Sequence, residues 1–553
     1  MSAPPMPPTT RRTWLALAII LVACAATIGT SMLRTSATFD EVVFVAGGVR
    51  GFEFGDWDVV PDHPPLMQYI YGLPVRLSGV NLPNEDDVTS RLRDQPAFRY
   101  IYARGLYGLA GNDPERIALF SRIPALLFAL GLVLTTFLYV RRYWGGEAAV
   151  IAAALVAFLP DVLAHGGVAY SDVPATLAIL GGIWATDTAL RTGSYRRALL
   201  AGAVAGIAVS IKINAGILLP IAVVLLAFEA LARRGTVDPA RRVDLAWLKR
   251  LALMFVLASL AAWVILVLVY RGDVTLAQFR WGLGYRAWHM SSGHGVPGYL
   301  LGDQSLHGWW YFFPVAFLFK TSAGLHVLLL VALATLAARL RAAPARIFAS
   351  PLRGPLVGTL LFGAALLSSN LNIGFRYAMP VLPLLCIATA VGCTYAWRAG
   401  PRLVRGVIAA ALLWAVIFPL TYYPHFLGFI SEYGPSRDRN HEVLVDSSLD
   451  WGQGLLELRD YMRDNDIPSV FLSYFGSLLP AGYGIRHIPL EGYFVLPQQP
   501  PPERMPEWYA ISATNLRGVY LGNDPFAQFR EVPPDAVLGG SIWLFHVPPA
   551  EAP

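Results

Sequence analysis

TSATFDEVVFVAGGVRGFEFGDWDVVPDHPPLMQYIYG, residues 35–72, follows the first long apolar run of the chain and places Asp40-Glu41 and then Asp62-His63-Pro64-Pro65 directly after it. Acids and a histidine at such a position are costly unless they sit at a border with water. The surrounding composition shows which border. The chain of 553 residues is 55% hydrophobic and only 14% charged, with a mean hydropathy of +0.49. Long apolar stretches recur along it, as in a polytopic membrane protein and unlike a soluble domain.

The net charge of +6 does not indicate a nucleic-acid face. The arginines gather in short clusters between apolar runs, which is a topology signal, and no nucleic-acid partner is expected. Cys24, Cys386 and Cys393 all fall inside apolar segments, so no disulfide framework is proposed. Arg11-Arg12 followed by WLALAIILVACAA resembles a secretory signal. The apolar run continues past Cys24 to Leu33, about 20 residues and long enough to cross a bilayer, so it reads as a retained first span.

Apolar runs occupy residues 13–33, 117–140, 148–164, 173–190, 198–211, 214–232, 251–270, 310–338, 355–369, 377–397 and 405–423. They predict an all-α membrane domain over 1–423 with about eleven crossing helices. A cytoplasmic N-terminus puts Arg141-Arg142, the Arg191/Arg196/Arg197 group, the basic stretch Arg233 to Arg250, Arg339/Arg341/Arg346 and Arg398/Arg402/Arg405 on one side. Basic loops mark the cytoplasmic face. The opposite face receives a long first loop, 34–115, whose short apolar pieces such as LMQYIYGLPVRL suit helices lying in the membrane interface. It also receives the loop 271–308, the turns at Tyr170-Ser171-Asp172 and Asn372–Tyr377, and everything after Pro424. Residues 424–553 read as a soluble α/β cap, with strands at Val443–Val445, after Pro468, at WYAIS and at SIWLFHV, and a helix at LLELRDYM.

The chemistry-bearing residues collect on that face. Asp40-Glu41 supplies a carboxylate at the border of lipid and water, able to act as a general base. Asp62-His63 precedes Pro64-Pro65, and Asp172 shortly precedes Pro174; proline restricts its neighbour to extended conformations and fixes loops entering helices. Lys320 and Arg376 are cations near helix ends, suited to an anion such as phosphate, although snorkelling would also explain them. Lys212 and Asn214 read either as a polar site at mid-membrane or as a short turn between helices.

Asp56-Trp57-Asp58 has the form of a metal-nucleotide motif, but no nucleotide-binding α/β domain or Gly-rich phosphate loop precedes it. His289, His294 and His307 match no compact ligand spacing. No cofactor is called from the sequence. A divalent metal held by Asp62 or Glu41, with His289 and His294 as further candidates, stays open, since hard cations take carboxylates from distant loops.

FDEVVFVAGG, DHPPL, AHGGVAYSDVPATLAI, GWWYFFPVAFLFKT, LNIGFRYAMPVLPLL and VDSSLDWGQGLLELRDYM, in this order, together resemble the bacterial branch of the phospholipid-carrier-dependent glycosyltransferases. This is the GT-C-fold group related to protein O-mannosyltransferases and to the lipid A aminoarabinose transferase. The resemblance implies a polyprenyl-phosphate-linked sugar donor, transfer at the outer face of a bacterial inner membrane, and a lipid, glycan or protein acceptor. It places the base on Asp40 with Glu41 beside it, a second acid on Asp172, and the substrate loop on Asp62, Pro64 and Pro65 with His63 near the donor phosphate; with such a donor, Lys320 and Arg376 are the expected further phosphate contacts. A transporter or flippase using the same carboxylates for proton coupling is the rival reading. Transporters set their ionisable groups near mid-membrane, often in repeated halves, and no inverted repeat is evident here. A non-catalytic anchor for the cap would leave the acidic pattern without a role.

Overall fold

The computed structural model describes residues 10–84, 97–234, 243–292 and 295–548. Every one of the eleven apolar runs folds as helix. Among the described residues, eight helices are long and apolar enough to cross a membrane: Arg11–Ser31, Pro114–Trp144, Asp172–Thr192, Ile213–Arg234, Leu245–Val269, Ala323–Ala342, Val381–Ala399 and Arg402–Leu420. The protein is a multi-pass membrane protein. Three runs give the shorter helices Gly146–Ala157, Tyr195–Ile211 and Arg353–Leu367.

Two runs that read as continuous are broken. Residues 148–164 divide where Pro160 opens a new helix, Pro160–His165; proline has no N–H to continue the preceding helix and fits the first turn of the next. Residues 310–338 divide into Phe312–Lys320 and Ala323–Ala342, the second capped by Ser322 Oγ accepting from the Leu325 N–H at 3.4 Å.

One end of the bundle is basic. Arg141 lies over the Trp14 ring, Arg398 pairs with Glu147, and Arg339 lies over Tyr395. The fully buried Arg353 meets Asp187 at 2.6 Å and Glu229 at 2.9 Å, each shared with a second arginine, Arg191 or Arg233. Asp187 and Glu229 are thereby compensated in a setting where an isolated carboxylate would be prohibitive.

The other end carries the first loop and the cap. Helices Glu41–Phe54 and Leu66–Leu77 touch through two glycines: a Cβ on Gly48 would lie 2.7 Å from Gly72 Cα, and one on Gly72 2.5 Å from Gly48. Only the missing side chains allow this approach. Beyond Pro424, five strands pair in the order His487–Pro489, Val470–Ser473, Trp508–Ser512, Ile542–His546, Ala536–Leu538. The first two pairings are parallel and the last two antiparallel. The helix Leu455–Asp464 forms where the apolar spacing predicts it. Val443–Val445 is not a strand. These residues are buried and pair with no strand of the sheet; the Val443 carbonyl instead accepts from the Leu301 N–H at 3.0 Å.

The cap grips the first loop. Ser36 and Phe39 donate their backbone N–H groups to the carbonyls of Gln453 and Trp451, at 3.0 and 2.8 Å. Phe39 stacks on Phe475 and Phe494, each with centroids 5.3 Å apart. The residue before Asp40 is therefore fixed by both parts of the protein.

Candidate active site at the membrane-cap junction

Beneath the cap lies a cavity of about 260 Å³, lined from the first loop by Asp40, Asp62, His63 and Arg99, from the helix Ala277–Ser292 by Tyr285 and Arg286, from the turn before Val381 by Arg376, and from the cap by Asp446 and Tyr520 among others. Two clusters of charge meet there.

The first is built around Arg376. Its Nη2 lies 3.1 Å from Asp40 Oδ2, its Nη1 3.5 Å from Asp172 Oδ2, and its Nε donates to Ser447 Oγ at 3.1 Å. Its guanidinium also packs over Trp451, 4.2 Å from the ring centroid. The local sequence permits this placement because residue 374 is glycine: a Cβ there would lie 2.1 Å from Ser447 Oγ. Lys212, at the break between Tyr195–Ile211 and the following 3-10 turn, reaches back to pair with the other oxygen of Asp172. The break that read as a mid-membrane site or a simple turn is a strut of this cluster.

The second cluster surrounds Asp62. Arg99 Nη1 lies 3.0 Å from Oδ1, Arg286 Nη2 3.2 Å from Oδ2, and His63 Nδ1 3.2 Å from Oδ2. Burial opposes ionisation of Asp62, but His63 and the two arginines outweigh it and hold the carboxyl well below the usual range. Burial and Arg286 push His63 down to about 4, so at neutral pH the imidazole is uncharged and the guanidiniums carry that effect. Tyr170 joins the clusters, its hydroxyl 3.5 Å from His63 Nε2 and its ring under Arg376.

Asp40 is the carboxylate of the first-loop pair that opens on the cavity, its side chain 23% exposed. Glu41 turns the other way. It is fully buried, receives Arg122 Nε and Nη2 at 2.8 Å each, and accepts from the N–H groups of Thr38 and Ala169. The same guanidinium binds the carbonyls of Met32, Thr35 and Ser36, all at 2.8 Å. Glu41 thus braces the loop that presents Asp40, in contrast to the expected place beside it in the site.

Lys320 also departs from expectation. It is 1% exposed and lies outside the cavity lining. Its ammonium donates to the carbonyls of Leu427 and Phe429 at 2.9 Å and Ser448 at 2.7 Å. With its three donors used, it pins the cap to a helix break and has none left for a phosphate.

Pro64 and Pro65 form the entry to Leu66–Leu77, with Pro65 at its N-cap. Asp56 is buried against Arg50 at 2.6 Å, and Asp58 accepts from Gln278; neither lines the cavity. The oxygens of Asp62 and Glu41 are taken by arginines. Among the described residues no three His, Cys, Asp or Glu side chains gather in a metal-holding group; the His289 side chain and His294 lie outside the described residues.

Sequence reading missed Arg99, Arg286, Asp446 and Tyr520. Arg99 and Arg286 sit in aromatic-rich segments, FRYIYAR and WGLGYRAW, which suggest only a membrane interface. Asp446 lies within the VDSSLDW stretch, whose order among the other motifs was visible although its position in space was not.

The structure therefore sets a polar-lined chamber at one face of a multi-pass membrane protein, with the partly exposed carboxylate of Asp40 beside arginines. Residues 94–265 match the family model described as dolichyl-phosphate-mannose-protein mannosyltransferase. A comparison with curated proteins finds no match. Among solved structures, ArnT from Cupriavidus metallidurans bound to undecaprenyl phosphate is similar at 14% identity and a TM-score of 0.47, covering 78% of this chain and 68% of that one. The Archaeoglobus fulgidus oligosaccharyltransferase in the apo form is similar at 14% identity and a TM-score of 0.45, covering 74% of this chain and 55% of that one.

Proposed function

We propose that this multi-pass membrane protein is a glycosyltransferase that moves a sugar from a polyprenyl-phosphate donor to an acceptor hydroxyl, with Asp40 as general base. The observation that carries this reading is the position of Asp40: partly exposed, at the wall of a chamber whose other charged groups include Arg376, Arg286 and Arg99. The family match supports a donor of the lipid-phosphate sugar type.

The lipid tail rests among the helices, and the donor phosphate faces Arg286, Arg99 and Arg376, whose forked donors suit its oxygens. The acceptor O–H gives its proton to Asp40 while its oxygen forms a bond to the anomeric carbon. The bond from that carbon to the phosphate oxygen breaks, and its electron pair leaves with polyprenyl phosphate. That leaving group is already a stabilised anion, so positioning and charge compensation do much of the work. Asp40 then returns its proton to water. Among the described residues Asp40 Oδ1 accepts no hydrogen bond while Oδ2 faces Arg376, which leaves one oxygen for the acceptor. The acceptor is a lipid, glycan or protein hydroxyl. A bacterial inner membrane follows from the resemblance. The basic end of the bundle would face the cytoplasm and the chamber the other side.

Transfer of radiolabelled sugar from a panel of polyprenyl-phosphate sugars, by wild type and Asp40→Asn, tests the proposal. Release of polyprenyl phosphate by wild type, lost in the variant, is the expected result. No turnover with any donor, together with donor movement across proteoliposomes that Asp40→Asn abolishes, would overturn it in favour of transport.

A further inference from the structure

The cap contributes a second carboxylate to the chamber. Asp446 Oδ2 accepts from the Tyr520 hydroxyl and Oδ1 from the Ser447 N–H. Both residues of the Asp446–Tyr520 pair are in the left-handed backbone region, Asp446 at φ 50° and Tyr520 at φ 70°. Asp tolerates this conformation, but for a bulky tyrosine it is an outlier. Such strain persists only where the surroundings enforce it, and it clusters at functional sites. Tyr520 is held by rings that also line the chamber: Phe475, with centroids 5.6 Å apart and planes 29° apart, and Tyr493 at 5.4 Å.

We propose that Asp446, oriented by Tyr520, recognises the sugar carried by the donor, its carboxylate accepting hydrogen bonds from ring hydroxyls while the neighbouring aromatic rings meet the sugar's apolar face. This rests on the donor class proposed above. Three observations select the sugar over the phosphate and the acceptor. Asp446 is an anion-forming group and would repel a phosphate. The next residue, Ser447, supports the Nε of Arg376, so this wall adjoins the arginine that contacts the base, where the anomeric carbon must lie. The surrounding surface is a carboxylate amid Phe475, Tyr493 and Tyr520, the mixed polar and aromatic lining that a polyhydroxylated ring with an apolar face requires. Burial pushes Asp446 up to about 6 against the hydrogen bond from Tyr520 and the charge of Arg376. At neutral pH it is mostly ionised and accepts, and in mild acid it becomes partly a donor.

Sites that hydrogen-bond a substrate hydroxyl reject analogues lacking it far more strongly than apolar pockets discriminate by size. The test uses the short-chain polyprenyl-phosphate hexose of the panel above that wild type transfers fastest and its 2-, 4- and 6-deoxy counterparts, with wild type, Asp446→Asn and Tyr520→Phe. Wild type should prefer the full sugar over at least one deoxy donor by roughly a hundredfold or more in kcat/KM. Asp446→Asn should collapse that ratio towards one, and Tyr520→Phe should reduce it partway. Sugar-free polyprenyl phosphate should inhibit all three proteins equally. An unchanged donor ratio in Asp446→Asn, or a change confined to the acceptor KM, overturns the assignment while the donor class stands. Absence of transfer by wild type with every sugar of the polyprenyl-phosphate panel overturns the donor class as well. If Asp446→Asn does not fold, the ratio in Tyr520→Phe decides, and a value identical to wild type counts against the proposal.

Discussion

Arg376 Nη2 lies 3.1 Å from Asp40 Oδ2 while the same guanidinium reaches Asp172 at 3.5 Å and rests on Ser447. One planar cation therefore sets the position of the cavity carboxylate and is itself fixed from the bundle and the cap. A positioned base contributes about 10²–10⁴-fold. Asp40→Asn should lose transfer by that factor while eluting as a folded monodisperse protein in detergent. Near-normal turnover in this variant would remove Asp40 from the role of base.

Arg376→Lys keeps the charge and loses the fork, and one ammonium cannot span Asp40, Asp172 and Ser447 together. The expected outcome is a fall in kcat of at least about tenfold, since misplacement of a catalytic group is costly even when small. Donor KM should move less. A variant with wild-type kcat would show that charge alone, and not the held geometry, is what matters at this position.

Arg286 contacts both Asp62 and His63 and is itself on the exposed helix Ala277–Ser292, its side chain 25% exposed. If it binds the donor phosphate, the contact exists in both ground and transition states. Removing such uniform binding raises KM with little change in kcat. Arg286→Ala should therefore raise donor KM by roughly tenfold, the worth of one charge-assisted hydrogen bond at about 1.5 kcal/mol. Steady-state kinetics over a range of donor concentrations separates this from a fall in kcat, which would place Arg286 in the chemistry.

The apolar runs made the bundle legible because a helix in lipid must satisfy its own backbone, so length and hydropathy nearly determine it. Asp40, His63 and Arg376, which line the cavity, were legible as candidates because charge at a lipid border is costly and stands out. Lys320 and Glu41 stood out for the same reason and were placed in the site. What separates them is their partners, three carbonyls in one case and a buried guanidinium in the other, and those come from segments about 80 or more residues away in the chain. Arg99 and Arg286 were hidden by the opposite effect: arginines among aromatic residues are ordinary at an interface, and only the fold turns them towards Asp62.

Glu41 and Arg122 form a fully buried pair that also binds three loop carbonyls. Removing one partner of a buried pair leaves the other charge uncompensated, at about 3–5 kcal/mol. Glu41→Gln should lower thermal stability in detergent and release the loop 35–40, seen as faster proteolysis there. If Glu41 instead acted directly on substrate, activity would fall with the melting temperature unchanged.

Lys320→Met removes a cation that binds only carbonyls and leaves those carbonyls of Leu427, Phe429 and Ser448 unsatisfied. The loss should appear as lower stability and loosened docking of the cap, read by hydrogen exchange across residues 426–450. Donor KM in whatever fraction remains folded should match wild type. A selective rise in donor KM with an intact cap would return Lys320 to the phosphate site.

His63 supplies a pH signature with a definite sign. Burial and Arg286, with Lys212 also opposing and Asp62 favouring its charge, lower its folded value to about 4 from an unfolded 6.5. Between those values the unfolded state binds more protons, so the stability contributed by His63 is intact above about 6.5 and is lost as pH falls towards 4. The full loss is at most about 3.5 kcal/mol, at about 1.4 kcal/mol for each tenfold change in proton affinity. Wild type and His63→Gln should show a stability difference that is constant above neutrality and moves against wild type through mild acid. Thermal unfolding in detergent from pH 4.5 to 8 measures it, and parallel profiles across that range would mean that the imidazole titrates alike in the folded and unfolded chains.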